Sequence, residues 1–250
     1  FDPQIQSEIA VKEIEKSRIR NPDEYFAEAQ TMFRSNHPNV VPISVATQRV
    51  DRICLTMPLC TQGSLAEQIK DGPIPLVDVL RVGHEILSGL NAIHKAGTIH
   101  FDVKPSNVLF SDRNVAMIAD FGQARDVGRN GVTLMPDRMY GPITPPEAFT
   151  NARRGTVESD VYQFGLMLYR ATNGDPHFDD EWDRAASGDL QASIIAGKFP
   201  RRDQFLPHVP DRLRRLIRKT LRVDPSKRFS SAIAVSNALA KVTLRNDWAT

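Results

Sequence analysis

The chain has 250 residues, 25% of them charged and 41% hydrophobic, and a formal net charge of +2. That length suits one large domain or two small lobes, and the balance suits a protein that buries a core. Near-neutral charge gives no footprint for nucleic acid, two cysteines make neither a disulfide framework nor a zinc site, and no apolar run reaches membrane-spanning length.

Cys54 and Cys60 suit a reducing compartment, so a cytoplasmic protein, or a cytoplasmic domain of a longer one, is expected. The opening FDPQIQSEIAVK has neither a signal-peptide pattern nor an initiator methionine, which reads as a fragment.

Strand-like runs come early, in QSEIAVKEI (6–14), VVPISVAT (40–47) and RICLTMPL (52–59). Between the first two, Asn21 can cap a helix, Pro22 suits its first position, and Asp23 and Glu24 suit its first turn. Glu24, three after Asn21, completes a capping box. PLCTQG (58–63) is a short irregular segment, and helical patterns dominate beyond residue 64.

A helix is expected over 76–95, with Val79, Leu80, Ile86, Leu87, Leu90 and Ile93 at helical spacing and Gly97 as its stop. VYQFGLMLYRAT (161–172) is apolar nearly all round, the mark of a helix buried on every side. The acidic DDEWD (179–183) reads as a solvated loop. Leu213, Leu216, Ile217 and Leu221 make a one-sided helix with the arginines of 211–221 on its wet face, and SSAIAVSNALAKV (230–242) makes the last one. A small strand-rich part thus precedes a larger helical part. Two lobes on a hinge enclose a cleft, where ligands usually bind.

The chemistry concentrates in IHFDVKPSNVLF (99–110) and NVAMIADFGQAR (114–125). VLF (108–110) and the run ending in Asp120 can pair as a hairpin around SDRN (111–114). That hairpin would bring Asn107 near Asp120, and two oxygen side chains can share a hard cation such as Mg²⁺. Asp102 sits close by as a base for a hydroxyl nucleophile, with Lys104 beside it for developing phosphate charge. Any one of these residues alone is an ordinary loop polar; the set in this order is not.

From about residue 7 to about residue 242 the chain resembles a protein kinase catalytic domain. HFDVKPSN (100–107) is similar to the family's H-R-D-x-K-P-x-N loop, and DFG (120–122) matches letter for letter. The resemblance implies an α+β bilobal fold: a small lobe over 1–57, a hinge over 58–63, a mainly helical large lobe over 64–242 and an extension over 243–250. It implies Asp102 as catalytic base, Lys104 as the phosphate-side lysine, and Asn107 and Asp120 as metal ligands, with ATP and Mg²⁺ as cofactors.

Further matches follow in the family's order. IAVK (9–12) resembles the V-A-I-K strand, which makes Lys12 the ligand of the α- and β-phosphates and Glu28 its ion-pair partner. PPE (145–147) resembles A-P-E, SDVYQFG (159–165) the helix whose Asp160 braces the catalytic loop, and DPSKR (224–228) the motif whose Arg228 pairs with Glu147. By the same resemblance Met32, Ile43, His100 and Phe121 form an internal column anchored at Asp160, and Gly122 completes the D-F-G. Ala10 and Leu109 sandwich the adenine, Met57 guards the back of its pocket, and Pro58 and Cys60 offer backbone groups at the hinge.

Three departures stand out. No Gly-rich loop precedes Lys12, so a chain extended upstream is expected to bind Mg·ATP better than this one. Phe101 replaces the arginine that, in the family, grips a phosphate on the activation segment; here that segment runs from Gln123 to about Thr144 and contains Thr133 and Tyr140. Phosphate on Thr133 is therefore not expected to order it through position 101. Third, MYGPIT (139–144) departs from the family's G-T-P-x-Y-x, with Tyr140 in the threonine's place and Ile143 in the tyrosine's.

The leading expectation is a Ser/Thr-type protein kinase acting on a protein hydroxyl, since Lys104 and Pro105 resemble the Ser/Thr branch. A pseudokinase or scaffold is the alternative, and a small-molecule kinase ranks third because such enzymes usually lack the paired DFG and A-P-E. The expected partners are ATP and a protein substrate, with no nucleic acid and no membrane segment in this chain.

Overall fold

The early strand-like runs form one antiparallel sheet. In the computed structural model, which describes residues 6, 8–18, 30, 33, 35–139 and 141–244, β1 (Ile9–Glu15), β2 (Val45–Gln48) and β3 (Arg52–Pro58) lie in the order β1–β3–β2. The helix expected from Asn21 through Pro22, Asp23 and Glu24 lies outside the described residues, as do Glu28, Met32 and Tyr140.

Alternation along β1 turns Ala10, Lys12 and Ile14 to the more sheltered face and Val11, Glu13 and Glu15 to solvent. Register sets Ala10 opposite Met57 and Lys12 opposite Leu55. Of VVPISVAT, only the part from Val45 joins the sheet. Pro42 lacks the N–H a ladder needs, and Val40 instead bridges in parallel to Ile118.

Helices take over next. The short α1 (Leu65–Ile69), unread in the sequence, starts at a capping box between Ser64 and Glu67. α2 (Leu76–Lys95) has the expected bounds, with Val79, Ile86, Leu87, Leu90 and Ile93 buried. Gly97 follows it in the left-handed region at φ +81°. Gly89 on this helix has a packing reason: a Cβ there would stand 2.5 Å from the Asn39 carbonyl oxygen. Segment 39–41 therefore lies tight on the helix.

β4 (Thr98–Ile99) leads into the catalytic-loop motif, and β5 (Val108–Phe110) pairs with β6 (Ala116–Ile118) as the hairpin expected around SDRN. Ile118 donates to the Asn39 carbonyl and Val41 donates to that of Ile118, both at 2.9 Å. These bonds stitch the strand-rich part to the helical part. β7 (Arg125–Asp126) pairs with β4, and β8 (Thr133–Leu134) pairs with β9 (Arg154–Gly155).

α3 (Val157–Asn173) is buried around almost its whole circumference, as its composition predicts. α4 (Asp175–Ala186) corrects the reading of DDEWD as a solvated loop. The segment is helical, and Phe178, Glu181 and Trp182 make its inner stripe at i, i+3 and i+4. Glu181 is 4% exposed; it accepts from the Tyr169 hydroxyl and, at 2.7 Å, from the Arg201 N–H. An acid inside the stripe hid the helix from a count of apolar residues.

α5 (Leu190–Ile195), α6 (Asp211–Thr220) and α7 (Ala232–Leu239) complete the order. The result is an α+β protein with a small strand-rich part and a larger helical part, as expected. Among the described residues, no helix is long and apolar enough to cross a membrane.

Candidate active site

Asp102 lies just beyond β4, in a loop whose backbone groups are taken by α3. The Asp160 carboxylate, fully buried, accepts from the His100 N–H at 2.9 Å and the Phe101 N–H at 2.8 Å. His94 Nε2 lies 2.8 Å from the same carboxylate. One turn further along α3, Gln163 accepts from the Val103 N–H at 3.0 Å and donates to the Phe101 carbonyl at 2.8 Å. These bonds hold Phe101 at φ +60°, a conformation that non-glycine residues adopt only when their surroundings over-determine it.

The Asp102 side chain is itself held on one side. Its Oδ2 accepts from Asn107 Nδ2 at 2.7 Å and from Lys104 Nζ at 2.8 Å. Asn107 Nδ2 also reaches the Asp102 carbonyl at 2.9 Å. Pro105 opens a 3₁₀ turn over Pro105–Asn107, which sets the spacing of these groups. Asp102 Oδ1 accepts no hydrogen bond from the described residues.

The β5–β6 hairpin joins the ends of the two motifs, for Ala119 donates to the Asn107 carbonyl at 2.9 Å. Asp120 follows in the left-handed region at φ +63°, and its Oδ1 accepts from the Gly122 N–H at 3.3 Å. Lys12 reaches the same Oδ1 at 2.7 Å from β1. Burial works to raise the Asp120 carboxyl, but the Lys12 ammonium and its hydrogen bond outweigh it and hold the group below the usual carboxylate range.

Asn107 and Asp120 fit a hard cation. The Asn107 NH₂ is committed to Asp102, which leaves the amide oxygen as its remaining polar atom. Asp120 adds a carboxylate oxygen, Oδ2, that no described residue donates to. An oxygen-only pair of this kind suits Mg²⁺, which takes one or two protein ligands and completes its shell with phosphate and water.

The residues expected around an adenine ring gather at one wall. Met57, Cys60 and Leu109 pack on buried Val41, Met117 and Ala119, and Ala10 stands opposite Met57 in the sheet. Pro58 ends β3. Burial pushes the half-buried Cys60 thiol up, away from thiolate reactivity. Behind this wall His100 meets Phe121 edge to face at 4.8 Å, and Ile43 packs between the sheet's core and the main core. Burial lowers the His100 pKa and keeps its ring neutral.

Glu147 and Arg228, 81 residues apart, form a buried two-pronged pair at 2.6 and 2.8 Å. The guanidinium also lies 4.8 Å over the Tyr162 ring, and the Ser159 hydroxyl donates to Glu147 at 2.9 Å. Ile143 and Thr144, in the divergent stretch before PPE, are buried beside them in sequence.

Two contributors lie beyond the sequence expectations. Gln163 belongs to the apolar helix and to SDVYQFG, and a lone amide among buried apolar residues is itself the signal of a backbone to be satisfied. For the direct Lys12–Asp120 contact, nothing local links residues so far apart; the family resemblance brings both to one nucleotide but does not pair them.

Comparison with known proteins points the same way as this geometry. A family model described as "Protein kinase domain" matches residues 2–242. The chain is 31% identical over 90% of its length to the DNA damage-responsive serine/threonine-protein kinase RqkA of Deinococcus radiodurans. It is 29% identical over 97% of its length to serine/threonine-protein kinase PknL of Mycobacterium tuberculosis, and 28% identical over 94% to probable serine/threonine-protein kinase PknB of Lactococcus lactis. It spans 34%, 61% and 38% of those three proteins.

Proposed function

The chain belongs to the protein kinase family, and on that premise we propose that it transfers the γ-phosphoryl group of ATP to a serine or threonine hydroxyl of a protein. The observation that carries this reading is the divided Asp102 carboxylate. Asn107 and Lys104 hold Oδ2, which fixes the plane of the group and leaves Oδ1 to accept a proton. A positioned carboxylate of this kind serves a hydroxyl nucleophile as base and as orienter.

Lys104 sets a positive charge beside the acid, where negative charge on the phosphoryl oxygens would develop. Lys12 would hold the α- and β-phosphates, with Glu28 as its further partner. Ala10 and Leu109 would line the two faces of the adenine, Met57 its rear, and Pro58 and Cys60 would present backbone groups to its edge. Asn107 and Asp120 would hold Mg²⁺, which when bound supplies positive charge that offsets the charge of the phosphates. Phe121, Gly122, Asp160, Glu147 and Arg228 serve this arrangement as structural supports. The matching division is a small lobe to residue 57, a hinge over 58–63 and a large lobe over 64–242.

The test is transfer from radiolabelled ATP by the full-length protein, with Asp102→Asn as the comparison. The substitution keeps a side-chain oxygen but removes the base, so transfer should fall by about 10²- to 10⁴-fold. Equal rates would overturn the assignment of Asp102. No transfer by either protein would favour a scaffold domain.

A further inference from the structure

Phe101 does more than fill the place of an arginine. It is 1% exposed and forms a separate apolar cluster with buried Ile99 and Met135, flanked by Val127, Met139 and Ala148. Three of these neighbours, Val127, Met135 and Met139, belong to the segment that follows the D-F-G. Opposite them is Gly155 on β9. A Cβ on Gly155 would stand 2.2 Å from Phe101 Cζ, 2.5 Å from Cε1 and 3.1 Å from Met135 Cγ. Glycine is the residue that lets the ring seat there.

The same segment is tied down at both ends by backbone. β7 pairs with β4, Val127 donates to the Gly97 carbonyl at 2.8 Å, and Thr98 Oγ1 donates to Asp126 at 2.7 Å. β8 pairs with β9, setting Thr133 opposite Gly155, and Met135 donates to the Arg153 carbonyl at 3.0 Å. The ring of Phe101 lies between these two ties. Its own backbone is the part of the catalytic loop that Asp160 and Gln163 hold, and Asp102 is the next residue.

We infer that Phe101 is a positioning residue: seated between Met135 and Gly155, its ring couples the order of the 125–139 segment to the placement of Asp102 through an apolar clasp. The role of Asp102 in this inference rests on the kinase reading above. The clasp itself is packing and carries no charge at position 101. A phenyl ring has no protonation or phosphorylation state, so the coupling stands as long as the ring is seated.

The experiment uses the full-length protein and three variants: Gly155→Ala, Phe101→Leu, and the two together. Amide hydrogen exchange is followed over 125–139 and over α3, and transfer from ATP to casein is followed for kcat and for KM of ATP. Gly155→Ala should displace the ring, speed exchange over 125–139 while α3 stays protected, and lower kcat by up to about 100-fold with KM for ATP little changed, because small misplacements of a reacting group cost that much. Phe101→Leu removes Cζ, so the double variant should regain protection and kcat relative to Gly155→Ala alone.

Unchanged exchange and kcat in Gly155→Ala would overturn the inference, as would a double variant no better than Gly155→Ala. Where Gly155→Ala fails to fold, Phe101→Leu decides alone: faster exchange over 125–139 with reduced kcat supports the clasp, and no change overturns it. Exchange needs no catalysis. A wild-type protein without transfer activity would therefore sink the kinase reading while exchange still decided the packing.

Discussion

Asp102 belongs to the helical side of the site and Lys12 to the sheet side. Asp102 is 6% exposed and sits among bonds to Asn107 and Lys104, in a loop whose neighbouring backbone is held by Asp160 and Gln163. The Lys12 side chain is 33% exposed on a strand of a small sheet and meets a carboxylate that is 46% exposed. The helical side is fixed by its own hydrogen bonds, which is what the proposed role of Asp102 as a base would need. The sheet side is held by an ion pair that solvent can compete for, which suits the proposed role of Lys12 in admitting and releasing a nucleotide.

By that contrast, damage to the helical side should cost far more than damage to the sheet side. Arg228→Met strands the Glu147 carboxylate, which is buried with no other cation on it among the described residues. Stability should drop by about 3–5 kcal/mol in urea unfolding. Gln163→Leu leaves the Val103 N–H and the Phe101 carbonyl unsatisfied, each costing about 1–3 kcal/mol by the same measurement. A shift near zero for Gln163→Leu would mean that the loop is held otherwise, and one for Arg228→Met that Glu147 is reached by water.

Lys12→Met should change stability by no more than about 1 kcal/mol, because the pair is exposed. Its clearer effect is on titration. The lowered folded-state value of Asp120 contributes stability that is present above the ordinary carboxylate value and lost as pH falls through the lowered one. Without the ammonium, the Gly122 N–H is left to offset burial and the Asp120 pKa should rise, which a carbon-detected NMR titration would read directly. An unchanged value would break the comparison on its sheet side.

The smallest effect is expected at Thr133. It lies in β8 opposite Gly155, and the nearby Phe101 offers no charge to a phosphate. Thr133→Ala should leave transfer close to the wild-type rate. Loss of most activity would point to Arg125 or Arg138 as a phosphate clamp in place of the missing arginine.

Local chemistry made much of this legible. The hairpin bearing Asn107 and Asp120 follows from two apolar runs around a polar turn, and α2 follows from its period and its closing glycine. The structure departs from the sequence reading where a long-range contact overrode a local signal. Glu181 counted as a solvent-seeking acid until its partners Tyr169 and Arg201 were in place. Pro42 shortened an expected strand, and Asn39 and Val41 took their backbone partners from β6 instead. Phe101 announced the loss of a charge, but only the fold reveals Met135 and Gly155 as what surrounds it.

Asn107 finds Asp102 across five residues of chain, whereas Lys12 finds Asp120 across 108. Closing the longer loop costs roughly 3 kcal/mol more in chain entropy. An ion pair as exposed as Lys12–Asp120 returns at most about 1 kcal/mol. The bridge across the cleft therefore cannot hold the two sides together alone. The Asn39–Ile118 and Val41–Ile118 backbone bonds share that work with grease at the seam: Met57 of the sheet, packed with Cys60 and Leu109 on Val41, Met117 and Ala119. The same apolar wall that would receive an adenine ring is thus also the joint, so a ligand entering there would press on the surface that keeps the halves in register.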